Sequence, residues 1–234
     1  MQNPIIVALD VPDLGQAREL VKELAPVVGA FKVGKELFVT AGPDFVREIR
    51  AAGGNVFLDL KFHDIPNTVA KAVSAAVRLD VQMLTVHTSG GHEMLAAAEE
   101  AAQRTASQQA TEPPLVLGVT VLTSMDSDNL AEIGVESNVG EQVERLAMLA
   151  SKCGLRGLVC SPLEIAALRQ VVPEKMQLVT PGIRPGGGGG DDQKRTLTPK
   201  EAINAGGDWL VIGRPIYQAD DPRKAAEEIL ASLK

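Results

Sequence analysis

The feature that most constrains this chain is an alternation sustained from end to end. Short apolar runs at 5–9, 30–33, 55–60, 83–87, 115–122, 157–160, 177–180 and 209–212 each have the length of a buried strand. Between them lie stretches with apolar residues at helical spacing: 14–24, 45–52, 68–79, 93–104, 139–152, 162–171 and 199–205, with 222–233 after the last run. Period-3.6 patterning between short apolar runs reads as strand–helix units of a parallel sheet. Eight units in 234 residues average about 29 residues each, the size of a β-α repeat. With aromatics at 3 %, the core must be aliphatic, as suits strands buried on both faces. No linker or strong repeat interrupts the pattern, so one domain over 1–234 is expected. Periodicity alone leaves open whether the sheet closes into a barrel or stays open and doubly wound.

In both architectures chemistry gathers at the carboxyl ends of the strands, and the polar residues here follow that rule. Asp10 ends the first run, Lys32 lies on the second, Asp59 and Lys61 end the third, and His87 ends the fourth. Thr123 follows the fifth, Pro181 to Arg184 the seventh, and Gly213 and Arg214 the eighth. A ring of such residues implies a site.

The densest part is Val56-Phe-Leu-Asp-Leu-Lys-Phe-His-Asp-Ile-Pro-Asn-Thr68. On a regular strand Asp59 and Lys61 share a face about 6.6 Å apart, Leu58 and Leu60 face the helices, and Lys32 lies one strand away at about 4.8 Å. Asp64 follows where the chain turns before Pro66. Burying several charges for stability alone is a poor solution beside apolar packing, so the set Lys32, Asp59, Lys61 and Asp64 is read as catalytic.

The motif Asp59-x-Lys61-x-x-Asp64 resembles that of the orotidine-5′-phosphate decarboxylase suprafamily, and its extension from Phe57 to Thr68 is similar to the bacterial decarboxylases within it. The resemblance runs through Ile6-Val-Ala-Leu-Asp10, Val33-Gly-Lys-Glu-Leu-Phe38, Gly118-Val-Thr-Val-Leu-Thr-Ser124, Thr180-Pro-Gly-Ile-Arg-Pro185 and Val211-Ile-Gly-Arg-Pro215. It implies a closed (β/α)8 TIM barrel, a homodimer with sites at the interface, and decarboxylation of orotidine 5′-monophosphate to UMP without metal or organic cofactor. It further implies that Lys61 protonates C6, that Asp10 and Lys32 bind the ribose, and that Thr123 lies by the pyrimidine. Asp64 and Thr68 would serve the neighbouring subunit's site. Phosphate contacts fall on Gln193, Gly213 and Arg214, with Arg184 at the base of the loop. The five glycines at 186–190 are then expected to form a lid that orders over the substrate, although composition alone reads them as a flexible linker.

The remaining features exclude more than they add. A net charge of −7 without a basic stripe argues against nucleic acid. The N-terminal segment has no basic, long apolar signal pattern, and no apolar run is long enough to span a bilayer. Cys153 and Cys160, flanked by apolar residues, are expected to be reduced thiols in a cytoplasmic protein. His63, His87 and His92 lack metal-site spacing, and Asp10-Val-Pro-Asp-Leu-Gly15 lacks that of a dinucleotide-binding turn. Two rival readings remain: a Mg2+-dependent sugar-phosphate decarboxylase or synthase of the same suprafamily, opposed by the cation at Lys32, and a catalytically silent nucleotide-binding barrel.

Overall fold

The computed structural model describes residues 3–136, 138–186 and 196–233. Eight parallel strands close into a barrel in sequence order: β1 Ile5–Ala8, β2 Ala30–Gly34, β3 Val56–Phe62, β4 Met83–His87, β5 Leu115–Val119, β6 Gly157–Val159, β7 Gln177–Thr180 and β8 Trp209–Ile212. The ring is sealed where β1 meets β8, with Ile5 opposite Leu210 and Val7 opposite Ile212. The helices among the described residues are α1 Leu14–Leu24, α2 Lys35–Ala51, α3 Pro66–Val77, α4 Gly91–Gln109, α5 Ser127–Glu132, α6 Val139–Lys152, α7 Ile165–Val171, α8 Pro199–Asn204, α9 Arg214–Tyr217 and α10 Pro222–Ser232. Local signals set several starts. The Asp13 side chain accepts the Gln16 N–H at 2.8 Å, and Thr198 and Glu201 cap each other reciprocally at the start of α8, in each case satisfying donors that a helix start leaves open.

Each strand is buried on both faces, and parity decides which core a residue joins. In β1, Ile5 and Val7 pack outward against the helices, while Ile6 and Ala8 point into the barrel. The interior is filled by Ile6, Ala8, Ala30, Phe57, Met83, Leu117, Val179, Trp209 and Val211. Stepping two residues onward from those plugs leads from Ala8 to Asp10, from Ala30 to Lys32, from Phe57 to Asp59, from Met83 to Thr85 and from Val211 to Gly213. The interior row becomes polar at the carboxyl end of the barrel.

Four local expectations are corrected. The fifth apolar run is a strand only to Val119; Val121 and Leu122 line the cleft described below, which explains their apolarity without a ladder. Helix α2 begins at Lys35 rather than 45, broken at Gly42 (φ 66°) ahead of Pro43, a left-handed bend that glycine tolerates. Helices α5 and α9 are too short to leave a periodic trace. Most consequentially, β3 is not regular at its end. Leu58 pairs with Leu84 and Phe62 with Val86, so four steps along β3 match two along β4. The surplus residues form a bulge in the ladder, and Lys61 sits in the left-handed region at φ 54°.

Candidate active site

The carboxyl end of the barrel holds a cleft of about 260 Å3. Asp10, Lys32, Asp59 and Lys61 line one side of it, and Thr123, Arg184, Gly213 and Arg214 contribute to the other walls. Eight of the residues singled out in the sequence therefore converge. Gln193 and the glycines at 187–190 lie outside the described residues; Gly186 is exposed at the edge of that segment. The segment's ends are held together by a bridge between Ile183 and Leu197, with the Arg184 N–H donating to the Leu197 carbonyl at 3.0 Å.

The charges are organised as two ion pairs. The Lys32 ammonium donates to Asp10 Oδ1 at 2.7 Å. The Lys61 ammonium donates to both oxygens of Asp59, at 2.7 and 2.8 Å. This replaces the regular-strand spacing expected of Asp59 and Lys61: the bulge and the left-handed backbone fold the lysine back onto the carboxylate. Lys32, expected beside that pair, has Asp10 as its ion-pair partner among the described residues. The Lys61 and Asp59 side chains are only 22 % and 13 % exposed. At such burial the desolvation of two charges offsets most of their attraction, so the pair adds little stability. A left-handed non-glycine residue costs a further ~1–2 kcal/mol. Strain and buried charge coincide at Lys61, a combination that concentrates at functional positions.

Asp64 and Thr68 do not join this cleft. Both are exposed, and Asp64 Oδ1 accepts the Ile65 N–H at 2.7 Å. Several cleft residues were not anticipated. Tyr217, the only tyrosine of the chain, lies on α9 and lines the cleft; its singularity was the available signal. Cys160 lines it as well, and burial pushes its thiol up to about 12, so it is a neutral wall rather than a nucleophile. Cys153 is likewise a free cysteine. Beneath the cleft, Thr85 touches both members of the Asp59–Lys61 pair; it was not singled out either, and the available signal was a polar residue amid Met83, Leu84 and Val86.

His87, half-buried at the end of β4, has its ring 5.5 Å from that of His63. Burial holds its pKa below the usual value, and His63, Lys61 and Lys35 act in the same direction against Asp59. The unfolded chain therefore takes up this proton near pH 6.5 while the folded protein resists it. This contribution to stability is complete above that pH and is lost as pH falls below it toward the folded value. The unfolding free energy from urea titrations is expected to fall between pH 7 and pH 5, and to fall less in His87→Asn. Identical declines in both proteins would reject the assignment.

The family model described as "Orotidine 5'-phosphate decarboxylase / HUMPS family" matches residues 3–229. The chain is 53 % identical over 234 residues to the orotidine 5′-phosphate decarboxylase of Opitutus terrae, covering 100 % of both chains. It is 51 % identical to that of Moorella thermoacetica, covering 100 % of this chain and 93 % of the relative. Among solved structures it is similar to orotidine 5′-phosphate decarboxylase from Lactobacillus acidophilus, with a TM-score of 0.88, 37 % identity and 99 % of each chain covered. The enzyme of the same name from Pyrococcus horikoshii OT3 shares the fold at a TM-score of 0.77 and 24 % identity, over 98 % of each chain.

Proposed function

Because this chain belongs to the orotidine 5′-phosphate decarboxylase / HUMPS family, we propose that its cleft converts orotidine 5′-monophosphate to UMP and CO2 in the last step of de novo UMP synthesis. The observation that carries the reading is the Lys61 ammonium, bound by both oxygens of Asp59, at the open end of the barrel's interior row. The C6–carboxylate bond breaks, CO2 departs, and the electron pair remains on C6. Lys61 stabilises that developing charge and transfers a proton from Nζ to C6; solvent then restores the ammonium. Preorganised charge in a site of low polarity is the largest single source of such stabilisation in many enzymes.

Asp59 faces the departing carboxylate in this reading. Two like charges about 3.5 Å apart at an effective dielectric near 20 repel by roughly 5 kcal/mol. Extreme accelerations need over ~20 kcal/mol, so repulsion is a secondary contributor and carbanion stabilisation by Lys61 is the main one. Asp10 and Lys32 hold the ribose hydroxyls, Thr123 lies beside the base, and Gln193, Gly213 and Arg214 take the phosphate, with Arg184 at the base of the loop. Arg214 offers a planar fork of donors suited to phosphate oxygens.

The enzyme acts as a homodimer in which Asp64 and Thr68 complete the partner's site. Their exposure at the rim, outside their own subunit's cleft, supports this, as does Ile65 between them, a large apolar side chain 66 % exposed. Sedimentation at assay concentration checks it: a fully active monomer would reject it. The two free cysteines support a reducing, cytoplasmic setting. No described helix is long and apolar enough to cross a membrane.

No metal or organic cofactor is required in this reading. Support comes from the cleft's aspartates, each already held by a lysine; two ammonium groups among two carboxylates oppose a divalent cation. The test is disappearance of the orotate absorbance with purified protein, before and after EDTA. Full turnover in EDTA is expected. Loss of turnover restored by Mg2+ would instead favour the metal-dependent relatives, and absence of turnover with both would mark a binding protein.

A further inference from the structure

Thr85 is 0 % exposed and sits on the barrel's interior row between Met83 and His87. Its hydroxyl accepts the Lys61 backbone N–H at 2.8 Å and donates to Asp59 Oδ1 at 3.0 Å. A threonine hydroxyl has one proton to give and lone pairs to accept with, so this one atom serves both members of the pair. The two bonds answer two consequences of the bulge in β3. Where the ladder between β3 and β4 shifts, Thr85 takes up the Lys61 N–H. Where Lys61 turns left-handed at φ 54°, the same hydroxyl supports that conformation, which directs the side chain back over Asp59. Asp59 already has the Lys61 ammonium on both oxygens. The neutral donor from Thr85 therefore adds orientation rather than charge.

We infer that Thr85 is a positioning residue for the reaction: one buried hydroxyl on β4 holds the strained Lys61 backbone and the Asp59 carboxylate in the geometry that delivers the lysine proton. It touches neither substrate nor the reacting carbon in this scheme and acts through Lys61. The inference rests on Lys61 being the proton donor, and the experiment is arranged so that the two can fail separately.

The test compares Thr85→Val, of nearly the same shape without the hydroxyl, and Thr85→Ser, which restores it, in steady-state decarboxylation of orotidine 5′-monophosphate. Hydrogen bonds to charged groups justify a fall in kcat between about tenfold and about a hundredfold for Thr85→Val. KM should stay within about threefold, because the ribose and phosphate contacts are untouched. Thr85→Ser should recover kcat to within about threefold of the parent. A merely structural role would lower the melting temperature of Thr85→Val while leaving kcat per folded molecule intact, and that result would overturn the inference. Should Thr85→Val fail to fold, Thr85→Cys takes its place, since a thiol bonds weakly in both directions; parental kcat in a folded Thr85→Cys would overturn it equally. The double variant Lys61→Ala/Thr85→Val distinguishes the two claims. If Thr85 works mainly through Lys61, the second change lowers the residual rate by much less than Thr85→Val lowers the parent's; losses that multiply would overturn the positioning role. An active Lys61→Ala protein removes the premise and with it the inference. An inactive Lys61→Ala beside a fully active Thr85→Val defeats this inference alone.

Discussion

Lys61→Ala is expected to yield a folded protein whose kcat/KM for orotidine 5′-monophosphate is lower by at least about 10^4-fold. Two losses combine at this position. A placed general acid contributes 10^2 to 10^4 in rate, and a preorganised donor aimed at developing charge contributes about 10^2 to 10^3. Folding should survive, because the bond that supports this turn involves the Lys61 backbone N–H and Thr85, which alanine keeps. Alanine also bears the same left-handed strain as lysine, so the substitution brings no new backbone penalty. The Asp59 carboxylate loses its ammonium but keeps the Thr85 hydroxyl. The measurement is decay of the orotate absorbance at high enzyme concentration, beside a thermal melt. Activity within tenfold of the parent would remove Lys61 from its role.

The second large effect is expected at the other end of the substrate. Orotidine, lacking the 5′-phosphate, should be decarboxylated with kcat/KM reduced by about 10^2 to 10^4-fold, and Arg214→Ala should reproduce much of that loss with the phosphorylated substrate. A bond to a charged group is worth ~1.5–3 kcal/mol; two from one guanidinium fork, at 1.36 kcal/mol per decade, span that range. Part of the loss must appear in kcat, since binding energy from a non-reacting group can offset the cost of orienting the reacting one. Arg214 begins α9 directly after Gly213, where an added Cβ would come within 3.3 Å of Tyr217 and 3.5 Å of Ala8. Phosphate contact thus lies where backbone and a cation can approach together. Unchanged kcat with the truncated substrate would limit the phosphate to simple affinity.

The barrel was legible because parity and periodicity are local properties. Strands such as 177–180 and 209–212 appear with the expected bounds, as do helices 14–24 and 139–152, whose apolar stripes and terminal signals agree. Family-specific motifs, rather than periodicity, carried the choice between closed and open sheets. The misjudged places share a cause. Val121 and Leu122 prolong an apolar run beyond its strand because they wall a cleft, and apolarity alone does not distinguish a ladder from a wall. Tyr217 lies on a helix of four residues, too short for any period to register.

Composition, alternation and motif order determined that residues 10, 32, 59 and 61 would stand at one end of a parallel sheet, because side-chain direction along a strand follows from covalent geometry. Their pairing was decided elsewhere. The shift of β3 against β4, the left-handed turn at Lys61 and the buried hydroxyl of Thr85 join residues 24 to 26 positions apart in sequence. A hydrogen-bond register is a property of two strands together, so only the assembled barrel could select Asp59 as the lysine's partner and leave Lys32 to Asp10.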